Sequence, residues 1–216
     1  IMIHAESTDC IAWLTERLLD AGHTAPKYHA ESRPMLVERE ATHRAITFAE
    51  LVDVPILIVH VSGKEAIDQI RWAQNKGLKI YAETCPQYLF LSTEDFGGED
   101  DYEASKCICS PPPRDPENQR FVWEALQAGT FSVFSSDHAP FNYEDPEGKQ
   151  VAGKKPSFDK VPNGIPGLET RLPLLFSYGV TTNKITIEQF VQLTSTDVAK
   201  MYGLYPRKGS IAIGSD

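Results

Sequence analysis

Short apolar runs alternate with amphipathic stretches along this chain. Four runs are typical of buried strands, which read as continuous apolar segments when helices cover both faces of a sheet; they span residues 1–3, 55–59, 78–82 and 131–136. In the segments between them, apolar residues recur at helical spacing, at 11–21, 34–52, 65–75 and 116–128. This alternation predicts an α/β fold with a parallel sheet and covering helices.

Less regular segments follow the predicted strands. Residues 83–113 contain an acidic loop and a proline run, and a Gly/Pro-rich loop extends from Asp137 to about Gly167. Long segments at this end of a strand usually shape a substrate pocket. We interpret Cys107 and Cys109 as alternating strand positions rather than as metal ligands. Three further helices are predicted at 168–178, 186–193 and 197–202, followed by a β-like stretch within 208–216.

Three of the predicted strands end in residues that commonly bind metal ions. His4 follows the first strand, His60 the second and Asp137 the last. Parallel strands of a barrel all end at the same face, so we expect these side chains to converge. Two imidazoles and a carboxylate can hold Zn²⁺ or a similar cation in a hydrolytic centre with an open coordination position. Taken singly, each residue could instead cap a helix or bond to a loop.

The composition excludes several other classes of protein. The chain has 216 residues, of which 41% are hydrophobic and 24% charged, as is typical of a packed globular domain. Its net charge of -9 would repel nucleic acid. No segment resembles a signal peptide or a membrane span, so we expect no membrane partner. Four cysteines do not make a secreted disulfide scaffold, and a cytoplasmic location is therefore predicted.

Seven short motifs stand in a fixed order along the chain. They are His4-Ala5-Glu6, Ser32-Arg33-Pro34, His60-Val61-Ser62, Glu83-Thr84-Cys85-Pro86-Gln87-Tyr88-Leu89, Ser110-Pro111-Pro112, Ser136-Asp137-His138 and Asn163-Gly164-Ile165-Pro166-Gly167-Leu168-Glu169-Thr170-Arg171. In this order and spacing, the chain resembles the dihydropyrimidinases and D-hydantoinases of the amidohydrolase superfamily over its whole length. The last motif favours this branch over dihydroorotases and allantoinases.

The resemblance implies a partial TIM-type (β/α)8 barrel. Residues 1–207 would supply barrel strands five to eight with their covering helices, and residues 208–216 would begin the return to a small β-sandwich. In the family, an H-x-H pair and a carboxylated lysine complete the metal site. The resemblance places both before Ile1, so this chain is expected to be the C-terminal half of the barrel, inactive by itself. It also implies a homotetramer for the full-length protein.

The resemblance assigns individual roles as well. His4, His60 and Asp137 would be ligands ending strands five, six and eight, in a site for two divalent ions, usually zinc. Ser110 and Asn163 would bind a small cyclic amide through their backbone groups, although a purely structural role in these turns is a serious alternative.

The implied reaction is the hydrolytic opening of a 5,6-dihydropyrimidine or a hydantoin to an N-carbamoyl amino acid. The metal ions would lower the pKa of the attacking water, and Asp137 would pass its proton to the departing ring nitrogen. We expect His138 and Glu6 to support the ligands or a loop, and Arg33 and Arg171 to form ion pairs.

Two other functions stay open. Dihydropyrimidinase-related proteins keep the fold but act as non-catalytic scaffolds, and they have generally lost the metal ligands that this chain retains. A dihydroorotase or an allantoinase would differ in the ring that it accepts. The sequence does not determine the preferred ring, its stereochemistry or the native metal.

Overall fold

Four parallel strands form the sheet of this protein. The structure is a computed structural model that describes residues 1–98, 100–151 and 153–216. Within these residues the strands lie side by side in chain order; they are β1 (Met2–Ile3), β2 (Ile56–Ile58), β3 (Ile80–Thr84) and β4 (Val133–Phe134). Ile3 lies beside Ile58, which lies beside Ala82, and all three pairings are parallel. The predicted parallel sheet is therefore confirmed.

Helices connect and cover the strands. The α-helices are α1 (Thr8–Asp20), α2 (Tyr28–Glu31), α3 (Met35–Val52), α4 (Lys64–Asn75), α5 (Gln87–Phe90), α6 (Asn118–Gln127), α7 (Arg171–Leu175), α8 (Ile187–Val191) and α9 (Asp197–Met201). Short 3₁₀-helices span Thr93–Phe96, Tyr102–Cys107 and Phe158–Lys160, and π-helical turns span Phe176–Val180 and Gln192–Thr196. No helix in the described part of the chain is both long and apolar enough to cross a membrane.

The core lies between the sheet and the helices α3, α4 and α6. Ile67 and Ile70 of α4 and Val122 of α6 are fully buried against Ile58 of β2 and Phe134 of β4. Such burial provides the main driving force for folding, at roughly 25 cal/mol for each Å² of apolar surface removed from water.

Three local predictions were wrong or only partly right. The helix predicted at 168–178 is a short α-helix that continues as a π-helical turn. Cys107 ends a 3₁₀-helix, so Cys107 and Cys109 do not alternate along a strand. The stretch 208–216 contains no strand, and Ile211 and Ile213 are fully exposed, because no neighbouring strand pairs with this segment in the described structure.

Apolar surface is exposed beside the two outer strands. Beside β1, a groove of about 470 Å³ lies against α3, and the exposed apolar residues there include Ile1, Phe48, Leu51 and Val52. On the β4 side, Leu168, Leu172 and Phe176 are exposed. Each outer strand pairs on one side only within the described residues. Open strand edges next to apolar surface favour association between chains.

We therefore expect the purified 216-residue chain to self-associate. Size-exclusion chromatography with light scattering should give a mass above 24.1 kDa that rises with protein concentration. The double variant Phe48→Ser with Leu51→Ser should lower that mass, because both side chains are more than half exposed in the groove region. A monomer at every concentration would contradict the prediction.

Candidate metal centre

Two histidines meet at the ends of neighbouring strands. His4 follows β1 and His60 lies two residues after the end of β2. Their rings pack edge to face at 4.7 Å between centroids, with Nδ1 of His4 2.9 Å from Nε2 of His60. The side chain of His4 is about half exposed, whereas His60 is 6% exposed. The structure thus brings together two of the three predicted ligands.

The backbone of two candidate ligands adopts a conformation that is unusual for residues with a side chain. His60 has a φ of 41° and Asp137 a φ of 46°, both in the left-handed region. Non-glycine residues in this region are strained, and they persist only where the surrounding structure holds them. Such strain concentrates at functional sites.

A buried carboxylate supports His4. Glu6 Oε2 lies 3.1 Å from Nε2 of His4 and accepts a hydrogen bond from the Arg33 guanidinium, also at 3.1 Å. Burial pushes the pKa of Glu6 upward, but the hydrogen bond with His4 and the charge of Arg33 outweigh it, so the pKa lies below its usual range. Glu6 supports a ligand candidate, and Arg33 forms an ion pair, as the sequence predicted for both.

Asp137 influences this centre without completing it. Burial and the neighbouring His4 ring lower the pKa of His60 to about 4, and the charge of Asp137 offsets only part of that shift. Asp137 itself is exposed. In the part of the chain that the structure describes, no three His, Cys, Asp or Glu side chains are grouped closely enough to hold a metal ion. The sharing of one ion by all three predicted ligands stays a prediction.

Glu83 is a site residue whose role sequence reasoning missed. It lies in β3, 8% exposed, and its Oε1 is 3.4 Å from the backbone nitrogen of His60. Burial raises the pKa of Glu83, and the charge of Asp137 raises it further, against the lowering effect of hydrogen bonds from Ser135 and from the His60 amide. The position of Glu83, directly after the predicted strand 78–82, is the sequence feature that could have indicated its place beside His60.

The two predicted substrate-binding segments lie next to each other. The carbonyl oxygen of Ile108, two residues before Ser110, accepts a hydrogen bond from the Gly164 amide at 3.0 Å. Gly164 has a φ of 140°, and a Cβ there would lie 2.2 Å from the side chain of Ala139, so only glycine fits. Asn163 is exposed at this turn, and Ser110 is half-buried.

His138 anchors the loop that carries Asn163. Its Nδ1 accepts hydrogen bonds from the amides of Gly167 and Leu168, at 3.1 and 3.3 Å. The neighbouring Ala139 amide donates to the carbonyl of Ile165. These contacts hold the loop beside the residue that follows Asp137, which agrees with the structural role expected for His138.

Lys149 is a buried cation that the sequence analysis did not single out. It is 3% exposed, and its ammonium donates to the carbonyls of Ile108 at 2.8 Å and Pro162 at 2.7 Å. It therefore ties together the segments that lead into Ser110 and Asn163. Burial lowers the pKa of Lys149 to about 8. No feature of the charged loop around it distinguishes this lysine from its exposed neighbours.

We expect Lys149 to make stability depend on alkaline pH. Its pKa is lower in the folded chain than in the unfolded chain, so between about pH 8 and pH 10.5 the unfolded chain binds more protons. Between pH 8 and pH 10.5, the free energy of unfolding of the unsubstituted chain should therefore rise by about 2 kcal/mol more than that of Lys149→Met, which lacks the titrating ammonium group. Urea unfolding at several pH values measures the difference.

The matched control for this experiment is Lys79→Met, because the Lys79 side chain is 62% exposed. It should keep the alkaline rise in stability of the unsubstituted chain. Parallel stability curves for the unsubstituted chain and Lys149→Met would contradict the prediction.

Comparison with known proteins relates this geometry to a family. The chain is 43% identical, over all of its 216 residues, to the D-hydantoinase of Geobacillus stearothermophilus, of which it covers 45%. The crystal structure of a dihydropyrimidinase from Brevibacillus agri superposes with a TM-score of 0.94 at 45% identity, and the chain covers 46% of it. The L-hydantoinase (dihydropyrimidinase) structure from Arthrobacter aurescens gives a TM-score of 0.88 at 30% identity, again over 46% of that chain.

The chain thus spans a little under half the length of these relatives, while each match covers the whole of it. The sequence profile of the amidohydrolase family matches residues 1–216. This agrees with the parallel sheet, its covering helices and the strand-end histidines. The chain belongs to the amidohydrolase family.

Proposed function

We propose that this chain contributes to a metal-dependent hydrolase that opens the ring of cyclic amides, with 5,6-dihydropyrimidines and hydantoins as the substrate class. The observation that carries the proposal is the pair of ring nitrogens, on His4 and His60, that face each other at 2.9 Å where two parallel strands end. The names of relatives, D-hydantoinase and dihydropyrimidinase, support the same reaction.

The histidine pair fits a metal ion. Two imidazole lone pairs at this separation repel each other unless a proton or a cation lies between them, and both nitrogens can lie about 2.0–2.1 Å from one zinc ion. Nδ1 of His60 is buried and has no hydrogen-bond partner among the described residues. We propose Asp137 as a further ligand, since it follows β4 at the same end of the parallel sheet and shares the left-handed backbone of His60.

Two divalent ions, which we propose to be zinc, would when bound lower the pKa of a water molecule and polarise the amide carbonyl. This chain's own residues would do the rest. Asp137 would accept the proton of the attacking water and donate it to the departing ring nitrogen. Backbone groups of Ser110 and Asn163 would hold the cyclic amide, supported by the contacts that Gly164 and Lys149 make with Ile108.

Within the family's barrel, we propose that β1 to β4 are strands five to eight, and that residues 208–216 lead towards a small β-sandwich. The superposition on relatives of twice the length supports this assignment. A homotetramer and a cytoplasmic location stay predictions; the four free cysteines support the second. The retained histidines favour an enzyme over a non-catalytic scaffold relative.

Zinc binding tests the histidine pair directly. Isothermal titration of the 216-residue chain with Zn²⁺ should show one site that weakens about 100-fold or more in His4→Ala and in His60→Ala, because each removes a ligand. His43→Ala is the matched control, since His43 is exposed and bonds to Gln69 on another helix. Equal affinities in all four proteins would contradict the ligand roles.

A chimeric enzyme tests the reaction. Residues 1–216 would replace the matching segment of the Geobacillus stearothermophilus D-hydantoinase, which is 43% identical. We expect zinc-dependent opening of dihydrouracil or hydantoin, with kcat falling about 10²–10⁴-fold in Asp137→Asn, because the proton carrier is lost. The exposed substitution Glu40→Gln should leave kcat unchanged.

The 216-residue chain without the chimera's other residues should show no turnover, because its described residues contain no group of three ligands. A panel that includes dihydroorotate and allantoin separates the neighbouring cyclic amidases. Full activity of the Asp137→Asn chimera would overturn the proposed role of Asp137, and a chimera that folds and binds zinc but opens no ring would overturn the proposed function.

A further inference from the structure

A buried ion pair lies beneath the turn that carries His60. Glu38 of α3 and Arg114 are 2% and 5% exposed, and Arg114 donates to Glu38 Oε2 at 2.9 Å. Both also bind Ser62, two residues after His60. Glu38 accepts hydrogen bonds from the Ser62 amide at 2.8 Å and from its hydroxyl at 2.6 Å, and Arg114 Nε donates to the same hydroxyl at 2.8 Å.

The same network reaches the second histidine. A further guanidinium nitrogen of Arg114 donates to the backbone carbonyl of Arg33. The side chain of Arg33 binds Glu6 at 3.1 Å, and Glu6 binds His4 at 3.1 Å. A continuous path of hydrogen bonds, which passes through the backbone and the side chain of Arg33, therefore connects the backbone after His60 with the ring of His4.

The turn after β2 needs such a restraint. His60 is in the left-handed region, where a residue with a Cβ is strained, and strained residues persist only when neighbouring contacts hold them. The turn is also held from α6, because Nδ2 of the Asn118 side chain donates to the carbonyl of Ser62 at 2.8 Å. The Glu83 carboxylate accepts a long hydrogen bond from the His60 amide at 3.4 Å, whereas Glu38 and Arg114 bind Ser62 at 2.6–2.8 Å. Hydrogen bonds to charged groups are the stronger ones.

We propose that Arg114 and Glu38 are positioning residues for the histidine pair. They fix the turn at Ser62 so that His60 keeps its left-handed backbone and its ring faces His4. Through Arg33 and Glu6, they fix the ring of His4 as well. Neither residue touches the candidate metal position itself. The purpose of this positioning rests on the proposed metal-binding function, whereas the positioning itself does not require a bound ion.

Chemical modification of the histidines tests this proposal without any activity assay. Diethyl pyrocarbonate modifies accessible imidazoles, and the six histidines of the chain fall in six different tryptic peptides, so mass spectrometry gives a rate for each. In the unsubstituted chain, His60 and His29 should react slowly, because they are 6% and 3% exposed, and His4 should react quickly. Added Zn²⁺ should slow His4.

In Arg114→Gln, we expect His60 to react about tenfold faster, because the loss of a charged partner frees the turn. His29 should stay protected, since it is held elsewhere by a hydrogen bond to the Cys109 carbonyl at 2.8 Å. Zn²⁺ should no longer slow His4 in this variant. The control Arg39→Gln removes the neighbouring, partly exposed ion pair with Glu65. It should change neither the His60 rate nor the slowing of His4 by Zn²⁺, and both of these are read from tryptic peptides that this substitution leaves intact.

Ser62→Ala provides a milder second variant. It removes only the hydroxyl between Glu38 and Arg114, and it should also raise the His60 rate while His29 stays protected. If Arg114→Gln exposes His29 as well, the chain has unfolded and Ser62→Ala decides. If Arg114→Gln stays folded and its His60 rate is unchanged, the positioning role is overturned. If Arg114→Gln unfolds, an unchanged His60 rate in Ser62→Ala overturns it. Failure of Zn²⁺ to slow His4 in the unsubstituted chain would instead overturn the proposed metal site.

Discussion

The parallel pairing of β1 with β2 is the constraint on which the candidate site depends. Ile3 lies beside Ile58, and the amides of Leu57 and Val59 donate to the carbonyls of Ile1 and Ile3 at 2.8 and 3.1 Å. This register ends both strands at nearly the same level. The next residues must then turn their side chains out of the sheet at the same edge, which is why two imidazoles meet there.

Charge is buried beneath this edge at a cost that the apolar core must offset. Glu38 and Arg114 are almost completely removed from water, and a buried ion pair adds little net stability. Removing one partner, however, costs about 3–5 kcal/mol, because the other charge is left uncompensated. A buried pair can thus favour one arrangement of a chain even where it adds little stability. Here the arrangement that they specify is the turn between His60 and Ser62.

The loops that carry Ser110 and Asn163 are held by a different kind of contact, between a buried lysine and backbone carbonyls. Lys149 binds carbonyl oxygens rather than a carboxylate, so burial lowers the pKa of its ammonium group. The pKa of Glu6 is also lowered, but for another reason: His4 and Arg33 compensate the charge of its carboxylate. Lys149 thereby fixes backbone atoms near Ser110 and Asn163, and Glu6 fixes the ring of His4. Functional residues on loops generally depend on this kind of support from a rigid scaffold.

The sequence by itself determined the parallel α/β architecture and the order of its strands, because apolar periodicity records locally which face of an element is buried. It also identified His4, His60 and Asp137 as residues at one edge, and their flanking motifs identified the family. Helix limits near the C-terminal end were less predictable, because α7 and α8 each continue as a π-helical turn with i→i+5 hydrogen bonds, which the 3.6-residue spacing of an α-helix does not describe.

Only the tertiary structure decided how these residues are held. Glu38 lies at an inward helical position of α3, but its partner Arg114 is 76 residues away in sequence, and no local pattern links them. The left-handed backbone of His60 and the burial of Lys149 likewise arise from contacts between distant segments. Local spacing encodes which side of an element faces inward, whereas the identity of the group that it meets there is set only when the chain is packed.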